Sequence, residues 1–119
     1  KLLSIEVGEA ATFSHDDGFR RLAQRAHAMG AKVGIEHVGY RISDIGKLGE
    51  LGVDYIKVDS LFVRDMHTNQ GNAALVRTYA NIAQSLGLSC IAEGVRDEQE
   101  LAAVIDAGAT GASGPGISL

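Results

Sequence analysis

The sequence predicts an α/β fold in which parallel strands are joined by crossover helices, and three observations predict it. Five short apolar runs recur along the 119 residues, with helix-like stretches between them. Those stretches carry apolar residues at three-and-four spacing with polar residues on the other face. Each of them stops at a glycine, where a helix C-cap belongs.

Taken in order, the first strand runs from Leu2 to Val7 and leads into Glu9. Asp17 to Met29 follows as a helix: Phe19, Leu22, Ala23, Ala26 and Met29 share a face, Arg20, Arg21, Gln24 and Arg25 lie outside, and Gly30 ends it. The Asp16-Asp17 pair reads as its N-terminus, where negative charge meets the positive end of the helix dipole. Val33 to Ile35 is the second strand and ends on Glu36, and Ser43 to Leu51 is a helix stopped by Gly52. The third strand, Tyr55 to Val58, contains Lys57 and ends on Asp59. Asn72 to Leu86 places Leu75, Val76, Tyr79, Ile82, Ala83 and Leu86 on one helical face before Gly87. Leu88 to Ala92 is the fourth strand and ends on Glu93. Asp97 to Ala107 forms a helix around Leu101, Val104 and Ile105, closed by Gly108, and a final strand lies near Thr110 to Ser113.

About four βα units plus a last strand fit part of a TIM-like (β/α) barrel better than an open doubly wound sheet. A barrel assembles its site from the C-terminal ends of several strands, which is where Glu9, Glu36, Lys57, Asp59 and Glu93 stand. A doubly wound site concentrates its signal in one glycine-rich turn, and neither G-x-G-x-x-G nor a Walker pattern is present. A whole barrel needs about 250 residues, so the expectation is half a barrel, with raw strand edges that the other half or a second copy must cover. No signal peptide and no run of 18 apolar residues occurs. The single cysteine, Cys90, lies in an expected buried strand and reads as structural. A net charge of −4, only six aromatic residues and no basic cluster argue against binding long nucleic acid.

The strand-end segments resemble those of the EAL domains, β/α barrels that bind and often hydrolyse cyclic di-GMP. Glu6-Val7-Gly8-Glu9 is similar to the family's E-[IL]-T-E strand, and Glu36-His37-Val38-Gly39 to D-D-F-G. Lys57-Val58-Asp59 with Phe62-Val63 matches K-[IV]-D-x-x-F-[IV], and Ala92-Glu93-Gly94-Val95 matches A-E-G-V-E. Ser113-Gly114-Pro115 sits where Q-G-Y is expected. The resemblance implies that residues 1–119 are the C-terminal half of an EAL domain, with the N-terminal half outside the sequence.

The resemblance also implies a chemistry. Phosphodiester hydrolysis in the family relies on two divalent cations about 4 Å apart, held by oxygen ligands. The adjacent Asp pair of D-D-F-G supplies the core of that cradle, and here the pair is Glu36 and His37. Glu moves the carboxylate by one methylene, and His removes a charge and offers a nitrogen that suits magnesium poorly. The loop that reads F-G-T-G-Y-S-S-L in the family reads Val38-Gly39-Tyr40-Arg41-Ile42-Ser43-Asp44-Ile45, so Gly39 and Ser43 alone persist. Ser113 replaces the Gln of Q-G-Y, and Arg96 reverses the final charge of A-E-G-V-E.

These departures are similar to the degenerate, catalytically inactive EAL domains that serve as receptors. Ile35 to Gly39 together with Lys57-Val58-Asp59-Ser60-Leu61-Phe62 resembles the LapD type, inner-membrane receptors whose cytoplasmic EAL domain senses cyclic di-GMP and controls retention of a surface adhesin. The expected nucleotide-binding set is Glu9, Glu36, His37, Lys57, Asp59, Glu93, Ser113, Gly114 and Pro115, with no catalytic residue and no resident cofactor. Magnesium or manganese enters only if the domain is an active phosphodiesterase, and Glu9, Glu36, Asp59 and Glu93 are then the ligands. The expected partners are cyclic di-GMP and a second EAL domain, in a cytoplasmic domain of a protein anchored in the inner membrane.

Plainer readings compete. Glu36 and Lys57 also fit a buried ion pair between neighbouring strands. Glu6 is expected to turn from the ligand, onto the other strand face or into a local network. His37 also reads as a satisfied hydrogen-bond donor, Phe62 as a packing residue, and His15, His27 and His67 as surface residues without chemistry. Three functions remain: a receptor without catalysis, an active phosphodiesterase with unusual ligands, and a dimerisation module that binds no nucleotide.

Overall fold

The computed structural model describes residues 3–9, 16–40, 47–48 and 50–115. His15, Arg41, Ile42, Ser43, Asp44, Ile45 and Gly116 lie outside the described residues, as does the side chain of Asp16. Among the described residues the chain runs β1 (Leu3–Gly8), α1 (Asp16–Ala28), β2 (Ala31–Val38), β3 (Tyr55–Val58), α2 (Ser60–Val63), α3 (Gln70–Ser85), β4 (Ser89–Ala92), α4 (Glu98–Asp106) and β5 (Gly111–Ala112). The expected helix from Ser43 to Leu51 falls partly outside them, and Lys47, Leu48 and Glu50 form a 3₁₀ turn. The short helix α2 was not expected, because the sequence pattern places no element between the third strand and the helix that begins at Asn72.

The five strands pair in parallel in chain order, β1-β2-β3-β4-β5. Chain order without a reversal is the arc of a β/α barrel, whereas a doubly wound sheet reverses at a switch point. Strand periodicity then sends alternate residues to opposite faces. Val33, Ile35, Ile56, Val58, Cys90 and Ala92 are fully buried against the helical layer, where Phe19, Ala23, Ala26, Val76, Tyr79 and Val104 meet them. Burial alone pushes the Cys90 thiol up to about 11, so it is an inert packing group.

The opposite, concave face is polar. Ser4, Glu6, Lys32, Tyr55, Lys57, Ser89 and Ile91, with Asp54 at the lower rim, line a hollow of about 350 Å³. Gly34 faces the same hollow because the Tyr55 ring lies across it, and a Cβ there would stand inside that ring. The helix starts are capped as their sequences require: the Asn69 side chain accepts from the Asn72 N–H at 3.0 Å and Asp97 from the Glu100 N–H at 2.8 Å. Among the described residues no helix is long and apolar enough to cross a membrane.

Candidate functional site

A bulge in β2 opens the site. The β2–β3 register shifts between Ile35 and Val38, and within that interval His37 takes φ +57, the left-handed region that His enters more readily than most residues. The bulge re-aims two consecutive side chains at the C-terminal end of the sheet. The His37 ring is 60% exposed, with Nε2 3.8 Å from Glu36 Oε1 and Nδ1 3.8 Å from Asp59 Oδ1. Its backbone N–H donates to Glu93 Oε1 at 3.3 Å, which links the ends of β2 and β4.

Three of the carboxylates here, Glu9, Asp59 and Glu93, accept hydrogen bonds from donors of their own chain. Glu9 is buried and accepts from the backbone N–H of Gly39 at 3.3 Å and of Tyr40 at 3.1 Å, so it holds the loop after β2. Both oxygens face backbone donors, a long-range contact that strand-end position alone does not reveal. Asp59 accepts from the Tyr40 hydroxyl at 2.5 Å and the Ser60 hydroxyl at 3.3 Å. Burial pushes the Asp59 carboxyl up, but Tyr40, the Leu61 N–H, the His37 ring and Ser60 outweigh it and hold the group below the usual range. The same bond, with lesser help from burial and from the charges of Asp59 and Glu9, raises the Tyr40 phenol to about 12.

Lys57 pairs with Glu6 at 2.6 Å, and the Tyr55 hydroxyl donates to the same Glu6 oxygen at 2.7 Å. The plainer reading's pair of Lys57 with Glu36 does not form: Lys57 pairs with Glu6, two strands away, because it points down the concave face toward β1. Glu6 enters a local network, one of the two alternatives its sequence position left open. Burial pushes its pKa up, but the Lys57 and Tyr55 bonds, the Lys57 charge and a side-chain contact with Glu36 outweigh it and leave Glu6 below the ordinary carboxylate range. Burial and the Glu6 acceptor push the Tyr55 phenol to about 12.

The fifth strand end is held by backbone. Ser113 N–H donates to Ala92 O at 3.0 Å and its carbonyl accepts from Val95 N–H at 2.9 Å, while Gly114 packs on the Val95 backbone. Ser113 and Pro115 are exposed beside the Glu93 segment.

Arg96 belongs to a network that sequence reasoning missed. Its Nη2 lies 2.7 Å from Glu100 Oε2 and 2.9 Å from Asp65 Oδ1. The fully buried Glu100 carboxylate also accepts from the backbone N–H of Asp65 and of Arg96, each at 2.9 Å. Hydrogen bonds from Arg96, opposed by burial and aided by the two backbone donors, hold Glu100 at about 2. Arg96 lies just before the N-cap Asp97, and the Glu100 side chain, in the first turn of the helix, reaches back to the Arg96 backbone N–H and guanidinium; a Glu three residues after an Asp N-cap was the available signal. His27 likewise has a partner, Asp54 Oδ2 at 2.8 Å, and that oxygen also accepts from the Val33 N–H at 2.7 Å.

A divalent cation needs several carboxylates aimed at one point. Among the described residues no three His, Cys, Asp or Glu side chains converge in that way. Glu9 faces the loop backbone, Asp59 faces Tyr40, Glu93 faces the His37 N–H and Glu36 lies 3.8 Å from the His37 ring, so as placed these four do not converge on one point as a metal cradle requires. What the site offers is carboxylate acceptors, an exposed imidazole, an exposed phenol ring and glycine backbone.

Comparison with known proteins gives the same architecture. The family model described as EAL domain matches residues 1–119. The chain is 33% identical over 98 residues to the cyclic di-GMP phosphodiesterase PdeR of Escherichia coli K12, covering 82% of this chain and 15% of that protein. Among solved structures, the PaMucR phosphodiesterase in complex with c-di-GMP superposes with TM-score 0.86 at 25% identity, over 94% of this chain and 45% of that one. Klebsiella pneumoniae BlrP1 in a manganese and c-di-GMP complex gives TM-score 0.79 at 30% identity, over 89% of this chain and 27% of that one. The chain thus spans less than half the length of each of these proteins.

Proposed function

The chain belongs to the EAL domain family, and from that premise we propose that it is a catalytically inactive cyclic di-GMP receptor domain. The observation that carries the proposal is the engagement of Glu9, Asp59 and Glu93 with donors of their own chain, together with Glu36 and His37 standing where the family pattern has two Asp. A receptor needs differential binding and no chemistry, so a site with hydrogen-bonding groups and no metal cradle suits it.

In this reading residues 1–119 are the C-terminal half of the domain. His37 faces phosphate, Lys57 reaches it by leaving its pair with Glu6, and Asp59 and Glu93 accept hydrogen bonds from guanine or ribose. Glu36, Ser113, Gly114 and Pro115 complete the rim, and Glu9 acts through the loop it holds. The output is of the LapD type: a cytoplasmic domain of a membrane-anchored protein that pairs with a second EAL domain and relays occupancy to control adhesion and biofilm.

A second reading, an active phosphodiesterase, draws support from the activity for which PdeR and PaMucR are named. Isothermal titration with cyclic di-GMP in EDTA and then in manganese, with product analysis of the same samples, separates the two. Metal-independent binding with intact ligand is the expected result. Appearance of the linear dinucleotide overturns it in favour of the enzyme, and no heat in either buffer leaves a dimerisation module.

A further inference from the structure

Tyr40 stands at the mouth of the site in an unusual state for an exposed aromatic, because it is fixed at three points. Its backbone N–H donates to the buried Glu9 at 3.1 Å. Its ring leans on Phe62, with centroids 5.0 Å apart and planes tilted by 58°. Its hydroxyl donates to Asp59 Oδ2 at 2.5 Å. Gly39 makes this possible: with φ +143 it lies against the Phe62 ring, and a Cβ there would collide with that ring. Despite these anchors Tyr40 remains 56% exposed.

An aromatic face that is both immobilised and open to solvent has already lost the rotamer entropy that binding otherwise costs. Planar bases stack on such faces, and every base offers a π-surface for it. The surroundings narrow the choice. Asp59 and Glu93 are both within reach of His37 and present carboxylate acceptors, which match a base with N–H donors on its edge. Guanine carries such an edge.

We propose that Tyr40 is a nucleobase-stacking residue, its ring backed by Phe62 and aligned by Asp59 to receive a purine of the bound dinucleotide. The proposal rests on the receptor reading. Phe62 serves it from behind, as a packing residue, and the ring that meets the base is the one the loop places outside.

Two variants and two readouts test it. The protein, Tyr40→Ala and Tyr40→Phe are titrated with cyclic di-GMP in EDTA by calorimetry, and tyrosine emission is followed in parallel, which is informative because this chain contains no tryptophan. Tyr40→Ala is expected to weaken binding about tenfold or more, the usual consequence of removing a stacked aromatic. Tyr40→Phe keeps the ring and is expected to bind near the unaltered affinity, while the part of the emission quenching that comes from Tyr40 is lost and its amplitude falls. Unchanged affinity in Tyr40→Ala, or quenching of undiminished amplitude in Tyr40→Phe, overturns the stacking role and leaves the receptor reading standing. No binding by the unaltered protein overturns both.

Discussion

At the scale of single residues the most consequential one is Glu100, a fully buried carboxylate answered by one guanidinium and two backbone N–H groups. Arg96 brings a positive charge where the family pattern has a negative one, and Glu100 together with Asp65 absorbs it locally. Replacing Glu100 by Gln removes the charge that Arg96 and both amides meet, and is expected to cost ~1–3 kcal/mol in urea unfolding near neutral pH. The pH dependence has a definite sign. Glu100 sits at about 2 in the folded protein against 4.5 for an unperturbed glutamate. Its contribution is therefore present above about pH 4.5 and fades as pH falls through that value toward about 2. The gap in urea midpoint between the unaltered protein and Glu100→Gln should close over this interval; a gap that stays constant refutes the assignment. At the ligand face, Lys57→Ala and Glu93→Ala are each expected to weaken cyclic di-GMP about tenfold, the scale of a charge-assisted hydrogen bond. Unchanged affinity in both calorimetric titrations refutes their contact with the ligand.

At the scale of elements, the turn after β4 is held against α2 by a close approach. Gly94 takes φ +74, and a Cβ there would strike the Cβ of Ser60, so the strand end carrying Glu93 seats on the helix that follows Asp59. Gly94→Ala should cost ~1–3 kcal/mol through the left-handed backbone alone, before the collision is counted. A thermal melt indistinguishable from the unaltered protein argues against this seating. The elements themselves were largely legible, because strands and helices follow from local periodicity. Asp17 to Met29 was expected and Asp16–Ala28 is found, and Asn72 to Leu86 corresponds to Gln70–Ser85. The bulge at Glu36 and His37 was not legible, since it depends on how β2 meets β3 rather than on any pattern within β2. The same holds for side-chain partners. Glu6 and Glu9 are three residues apart on one apolar run, yet Glu6 meets Lys57 on the concave face and Glu9 meets the loop after β2. Alternation assigns a residue to a face, but the donor it finds there comes from a distant segment.

At the scale of the whole molecule, the arc of five parallel strands puts the apolar layer outside, under the helices, and the charged residues on the concave face and at the C-terminal rim. Lys57 pairs with Glu6, while Asp59 and Glu9 accept hydrogen bonds from Tyr40 and the loop backbone, and among the described residues no three carboxylates, imidazoles or thiolates gather around one point. A ligand that binds only the folded state raises its stability by RT ln(1 + [L]/Kd), about 2.7 kcal/mol at a hundredfold excess over Kd. If the site binds cyclic di-GMP through its own side chains and backbone, the nucleotide should deliver this full stabilisation in EDTA, and manganese should add nothing to it. Denaturation at fixed nucleotide concentration, with and without the metal, measures both quantities at once. Equal shifts in the two buffers are the expected outcome, whereas a shift that appears only with manganese means that the carboxylates release their internal donors to build a cradle, and the metal-free reading of the site then fails.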